Sequence, residues 1–207
     1  MRYPLLLSAV FAFIQIQAQG GTETKQEKAI TVETTPFDQG KLELQSQSGV
    51  WFSFGGTDRP TLNYSSTAYS LGLMLHTPSG EGCLRGNCEL MLQLFGATVF
   101  DGPGNALGGA TVLLRYNFVQ PGARWVPYAQ LGVGEIYSDI YHDQSQRLIG
   151  QAWEIDLEAS VGIRYMFNDR WSAAIEGGYR HNSNGGSNDR NVGLNSLGAT
   201  IGLGRHF

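Results

Sequence analysis

The residues best suited to do chemistry lie near the C-terminus, in the stretch "YRHNSNGGSNDRNVGLNS" (179–196). It sets His181 and Ser183 two positions apart, with Asn184, Asn188, Asn191 and Asn195 behind them and almost nothing apolar. On a β-strand, side chains at i and i+2 share a face, so the two could meet. Serine is a weak nucleophile until a base takes its proton, and a neighbouring histidine is such a base. An ester carbonyl attacked there needs donors aimed at the developing oxyanion, each worth on the order of 2.7–4 kcal/mol. Asparagine amides and a glycine N–H are donors of that kind and carry no charge. The competing reading is a polar strand end with no chemistry, and the elements around the pair decide between the two.

Those elements are strands. Short alternating runs separated by turn residues begin at about residue 47, at roughly 49–56, 67–76, 89–100, 108–118, 124–136, 154–167, 170–183 and 196–207. In the last run Leu197, Ala199, Ile201, Leu203, Arg205 and Phe207 alternate with Ser196, Gly198, Thr200, Gly202, Gly204 and His206. In the sixth, Ile155, Leu157, Ala159, Val161, Ile163, Tyr165 and Phe167 alternate with Glu154, Asp156, Glu158, Ser160, Gly162, Arg164 and Met166. A soluble sandwich or carrier would bury the apolar face; a membrane barrel turns it to lipid and fills the lumen with the polar one. The inverted arrangement is favoured by an export segment, an even number of long strands, aromatic residues near strand ends and the terminal Phe207. The expected fold is all-β: an eight-stranded antiparallel transmembrane β-barrel behind an N-terminal signal peptide. Eight strands leave a lumen just wide enough for side chains to fill. Arg115, Glu154, Asp156, Glu158, Arg164, Glu176 and Arg180 are expected inside it, neutralising one another in a plugged barrel, not a pore.

Composition agrees with export and excludes other classes. The segment "MRYPLLLSAVFAFIQIQAQG" has one early Arg, an apolar run from Leu5 to Ile14 and the small Ala18 at a cleavage position, so residues 1–18 are read as a signal peptide. Residues 19–46 are read as a polar periplasmic lead-in, and 47–207 as the barrel. Charged residues make up only 15% of the chain, below the globular average of about 25%. A net charge of −4 offers no basic footprint for nucleic acid. Cys83 and Cys88 in "GCLRGNCEL" are the only cysteines, and in an oxidising compartment a pair this close is expected to form a local disulfide. No metal site and no cofactor are expected.

Connection lengths orient the barrel. The joins at 77–88, 119–124 and 168–169 are read as periplasmic turns, and those at 57–66, 101–107, 137–153 and 184–195 as outer loops, with both termini in the periplasm. The seventh run then rises outward with Trp171, Ala173 and Ile175 toward lipid and Glu176 and Arg180 inward. His181 and Ser183 fall in the lipid-facing phase near the outer end, and Asn195 shares that phase on the returning strand.

At this point the motif becomes specific. "HNSN" at 181–184, Asn191 and "GLN" at 193–195 resemble the signature of the outer-membrane lipid A 3-O-deacylase (PagL) family. The resemblance extends over the mature chain. It implies a serine hydrolase in the bacterial outer membrane acting on lipid A of lipopolysaccharide, with the 3-O-acyl chain as target. Carried over, His181 is the general base and Ser183 the nucleophile, with Asn184, Asn191 and Gly193 as oxyanion-hole candidates. One position departs: where the family has a Glu that orients the histidine, this chain has Asn195. An amide can hold an imidazole by a hydrogen bond, but it cannot stabilise imidazolium by charge. Asp189 in the same loop could replace it, whereas Glu176 faces the lumen.

Other readings stay open beside the hydrolase. A non-catalytic structural or adhesive barrel would use the long 137–153 segment as a binding surface; an exported lipocalin-like carrier would be soluble. Asp139, His142 and Asp143 in that segment could suggest a metal, against an ordinary solvated loop. The expected partners are lipid A and the membrane, with a homodimer open.

Overall fold

The computed structural model describes residues 35–55 and 60–207. Eight strands form one closed barrel in sequence order: β1 (Leu42–Ser53), β2 (Asn63–Met74), β3 (Asn87–Asp101), β4 (Ala106–Asn117), β5 (Trp125–Ser138), β6 (Trp153–Met166), β7 (Trp171–Ser183) and β8 (Leu194–His206). Every neighbouring pair is antiparallel, and β1 closes the sheet on β8. Strands of 12 to 15 residues exceed the roughly 9–11 that a tilted membrane-crossing strand needs. The expected signal peptide (1–18) and most of the expected lead-in lie outside the described residues.

The barrel is inside-out relative to a soluble core. Leu131 is 68% exposed, Val161 65% and Ile201 69%, while Glu43, Glu89, Arg115, Asp156 and Arg164 are completely buried. Exposed aromatics gather toward the strand ends: Phe52, Phe54, Phe100, Tyr137 and Trp153 at one end, Trp125, Phe167, Trp171 and Phe207 at the other. This is the apolar band between aromatic girdles of a bilayer-spanning barrel. All seven lumen candidates point inward and are buried.

The lumen is filled by paired charges. Arg164 Nη2 meets Glu43 Oε2 at 2.7 Å, and Arg115 lies between Glu43 and Glu89 at 3.6 and 3.8 Å. Further along, Arg180 bridges Glu158 at 2.8 Å and Asp156 at 3.5 Å, its guanidinium stacked over Phe95 and Trp51. Glu176 is held by neutral donors instead: the Tyr128 hydroxyl at 2.9 Å and the Gln47 and Gln130 amides at 3.3 Å. Both mouths are stoppered by apolar side chains. Phe37, Met74, Val119, Val126 and Met166 close the end that carries the C-terminus. At the opposite, long-loop end, Ile140, Leu148 and Ile149 fold down onto Trp51, Leu62, Tyr64, Leu107, Ile136 and Leu194.

Two expectations are corrected here. The first strand starts at Leu42, not near residue 49, so the barrel takes in the end of the 19–46 lead-in. Small polar residues obscure the alternation of "LELQSQSG", yet Glu43, Gln45 and Gln47 all point inward. The second concerns the thiols: Cys83 and Cys88 are unpaired. Cys83 sits exposed in a single 3₁₀ turn (Gly82–Leu84), whereas Cys88 is already part of β3, facing outward with its N–H donated to His76 Nε2. Reciprocal backbone bonds between Ser79 and Gly86, together with Arg85 Nη1 on the Val119 carbonyl, brace the turn between the two without a covalent bridge.

Candidate active site

The site is built on the last two strands at the long-loop end. β7 is kept in phase by a tight turn at its start, where Asn168 Oδ1 accepts the N–H groups of Arg170 and Trp171. From there the alternation runs unbroken, with Ser172, Ala174, Glu176, Arg180 and Asn182 inward. His181 and Ser183 are therefore on the outward face, where cross-strand register sets them against Leu157 and Ile155 of β6. On the other side His181 is directly opposite Asn195 of β8.

That register makes one decisive contact. His181 Nδ1 lies 2.8 Å from Asn195 Oδ1. With the amide in this orientation its oxygen can only accept, which places the ring proton on Nδ1 and leaves the lone pair on Nε2. Among the described residues no hydrogen bond joins Ser183 to His181; such contacts commonly tighten only when substrate is bound. Of the two candidates for the third position, Asn195 is the group on the imidazole, while Asp189 is exposed in the loop. Glu176 is in the lumen, as expected.

The three oxyanion candidates are used differently from one another. The Asn184 side chain braces its own loop: its Nδ2 donates to the carbonyls of Asn188 and Arg190, and its Oδ1 accepts the Gly186 N–H. The Gly193 N–H donates to the Leu148 carbonyl at 3.1 Å. Both expected donors are thus engaged within the protein. Gly193 matters sterically: it has a positive φ of 76°, and a Cβ there would lie 3.1 Å from His181 Cε1. The missing side chain makes room for the imidazole. Asn191 remains. Its Oδ1 accepts the Asn184 backbone N–H at 3.0 Å, which leaves its Nδ2 hydrogens uncommitted among the described hydrogen bonds.

Sequence reasoning missed two residues here. Arg190 donates to the carbonyls of Tyr141, Asp143 and Gly150, tying the 184–193 loop to the 139–152 segment. Backbone bonds from Val192 to Arg147 and from Gly193 to Leu148 continue the seam. That long segment is a cap over the barrel mouth, held by the loop that follows Ser183. Its acidic residues serve local structure. The Asp139 carboxylate accepts the N–H groups of Asn105 and Ala106, and Asp143 accepts from Ser145. No group of three His, Cys, Asp or Glu side chains placed to hold a metal occurs among the described residues. The second missed residue is Tyr179, whose hydroxyl donates to Asn195 Oδ1 at 2.8 Å. The alternation already placed it in the outward phase, two residues before His181.

The chain is similar to several known outer-membrane proteins. The chain is similar to the crystal structure of the outer membrane enzyme PagL at 17% identity, covering 75% of this chain and 97% of that one with a TM-score of 0.49. It is also similar to the N-terminal β-barrel domain of Pseudomonas aeruginosa OprF, at 17% identity, 82% and 98% coverage and a TM-score of 0.51. Neisserial surface protein A matches at 12% identity, 81% and 98% coverage and a TM-score of 0.52. These last two likenesses show the fold, that of outer-membrane barrels. No curated protein matches the chain. The lipid A 3-O-deacylase (PagL) family matches residues 52–204, from the upper part of β1 almost to the end of β8 and across the whole site. By that match the chain belongs to the lipid A 3-O-deacylase (PagL) family of the bacterial outer membrane.

Proposed function

We propose that the protein is a serine esterase that removes the 3-O-linked acyl chain of lipid A, with Ser183 as nucleophile, His181 as base and Asn195 holding the imidazole. One observation carries this reading: the cross-strand His181–Asn195 hydrogen bond, on the outward face that also bears Ser183. The substrate is a component of the outer leaflet, and a site opening sideways toward lipid meets it without extracting it. The long-loop end is accordingly assigned to the cell exterior and the C-terminus to the periplasm.

The chemistry follows acyl transfer. Ser183 Oγ attacks the ester carbonyl carbon while its proton passes to His181 Nε2. The Asn191 amide is the donor proposed for the oxyanion, in place of Asn184 and Gly193, whose donors are engaged elsewhere. Collapse breaks the bond to the sugar oxygen, which takes the proton from Nε2. Water then attacks the acyl-Ser183 ester with His181 Nε2 taking its proton; the bond to Ser183 Oγ breaks, Oγ receives that proton, and a fatty acid is released.

Mass spectrometry of lipid A from cells with and without the protein tests this. Loss of the mass of one ester-linked 3-O-acyl chain only where the protein is present is the expected result. An unchanged lipid A profile in membranes containing folded barrel would contradict it and favour the structural barrel.

A further inference from the structure

Asn195 is an unusual third member because an amide has a right and a wrong way round. With Oδ1 toward His181, the ring keeps its proton on Nδ1 and Nε2 is a base. With Nδ2 toward it, the amide would donate to Nδ1, the proton would move to Nε2, and the base would be lost. A carboxylate has no such ambiguity, since both its oxygens accept. Something must therefore select the amide orientation in this chain.

We propose that Tyr179 is a positioning residue that does so: its hydroxyl donates to Asn195 Oδ1, fixing the amide so that the same oxygen accepts from His181. The inference rests on the reading of His181 as base. Tyr179 and His181 stand two apart on the outward face of β7, and their donors converge on one acceptor, each at 2.8 Å. The opposite orientation would turn the Asn195 NH₂ toward both groups; the phenol oxygen could accept from it, but the phenol O–H would be left without an acceptor. A half-buried phenol O–H left without an acceptor carries a cost, and that cost favours the orientation with Oδ1 toward it. The backbone of Asn195 is also pinned, its carbonyl accepting the Phe54 N–H at 2.9 Å, and the Phe54 ring lies 6.0 Å from that of Tyr179. The amide is left little freedom except rotation about its own axis, which the hydroxyl biases through the hydrogen it donates. The alternative role for Tyr179, an interfacial aromatic with no part in the site, predicts no link to the identity of residue 195.

The test combines a spectroscopic reading with a mutant cycle. Long-range ¹H–¹⁵N correlation spectra of the folded barrel in detergent report which nitrogen of His181 bears the proton, independently of any activity on lipid A. The wild-type ring should be protonated on Nδ1, and Tyr179→Phe should shift it toward Nε2. Deacylation should fall about tenfold in Tyr179→Phe, the scale of one hydrogen bond's preference between two orientations. The same change in an Asn195→Asp background should cost less than about threefold, because the carboxylate accepts either way round. A wild-type ring protonated on Nε2, or a tautomer unmoved by Tyr179→Phe, would overturn the proposal. So would an equal loss of activity in both backgrounds. If wild-type protein releases no acyl chain, the esterase reading fails, while the tautomer measurement still decides the role of Tyr179.

Discussion

The lumen and the outward rim solve the problem of polar groups in a membrane in opposite ways. The lumen uses full charges, and each arginine has a carboxylate within reach: Arg115 and Arg164 on Glu43, Arg180 on Asp156 and Glu158. The outward face of the rim uses side chains without a carboxylate or guanidinium, His181, Asn195, Asn191 and Tyr179, joined by hydrogen bonds to one another or to backbone, with Ser183 beside them. A charge inside the barrel is paired and sheltered from lipid, whereas a carboxylate on the outward face would stand beside hydrocarbon with only the imidazole to answer it. The uncharged amide of Asn195 fits that setting. It also creates the orientation problem that Tyr179 meets. Charge in this barrel fills the lumen, and the candidate site is assembled from dipoles.

The comparison predicts that damage to the two regions is separable. The largest effect falls on the rim: Ser183→Ala and His181→Ala should each abolish deacylation, because the two act as a unit. Both variants should keep the heat-modifiable gel mobility of the wild-type barrel, and normal activity in either would remove the assignment. Asn195→Ala comes next, with a loss of up to about 10⁴-fold, the scale seen when a serine protease's triad carboxylate is replaced. Asn195→Glu should retain activity, and Asp189→Asn should be silent. A crippled Asp189→Asn beside a normal Asn195→Ala would move the third member into the loop.

In the lumen the expected signature is reversed. Arg180→Ala leaves Asp156 and Glu158 without their cation and should destabilise the barrel by about 3–5 kcal/mol. Urea titration followed by gel mobility would measure that. The fraction still folded should retain a reactive Ser183, so unchanged urea resistance with loss of Ser183 reactivity would collapse the distinction between the regions.

The smallest effect concerns the cap. Burial alone would raise the Asp139 carboxyl, but the backbone N–H groups of Asn105 and Ala106 and the Asn105 amide outweigh it and hold its pKa below the usual carboxylate value. A depressed folded-state pKa means that stabilisation is present above the unfolded value and lost as pH falls through the folded one. Amide exchange in the 102–105 connection should therefore accelerate on acidification below the ordinary carboxylate range. Asp139→Asn should show fast exchange already at neutral pH, and slow exchange in that variant would assign the anchor elsewhere.

The alternation of β6, β7 and β8 was enough to read the barrel, its inverted polarity and the outward phase of His181, Ser183 and Asn195. Period-2 patterning is strong where Ile, Leu and Val oppose Asp, Glu and Arg. It fades in β1, where Ser, Gln and Gly carry too little contrast, and so Glu43, the anion shared by two arginines, was missed. The oxyanion candidates were legible as residue types but not as donors, since only the folded loop shows the Gly193 N–H on Leu148 and the Asn184 amide on Asn188 and Arg190. Likewise, proximity of Cys83 and Cys88 in sequence does not reveal that one belongs to a strand and the other to a 3₁₀ turn.

The central claim, that chemistry occurs at Ser183 on the outward rim, is tested most directly by covalent trapping. Folded barrel in detergent is treated with a lipophilic fluorophosphonate and its intact mass and modified peptide are read by mass spectrometry. One adduct is expected, on Ser183, formed by wild type and not by His181→Ala. An adduct on another serine, or one on Ser183 that forms equally fast without His181, would contradict it.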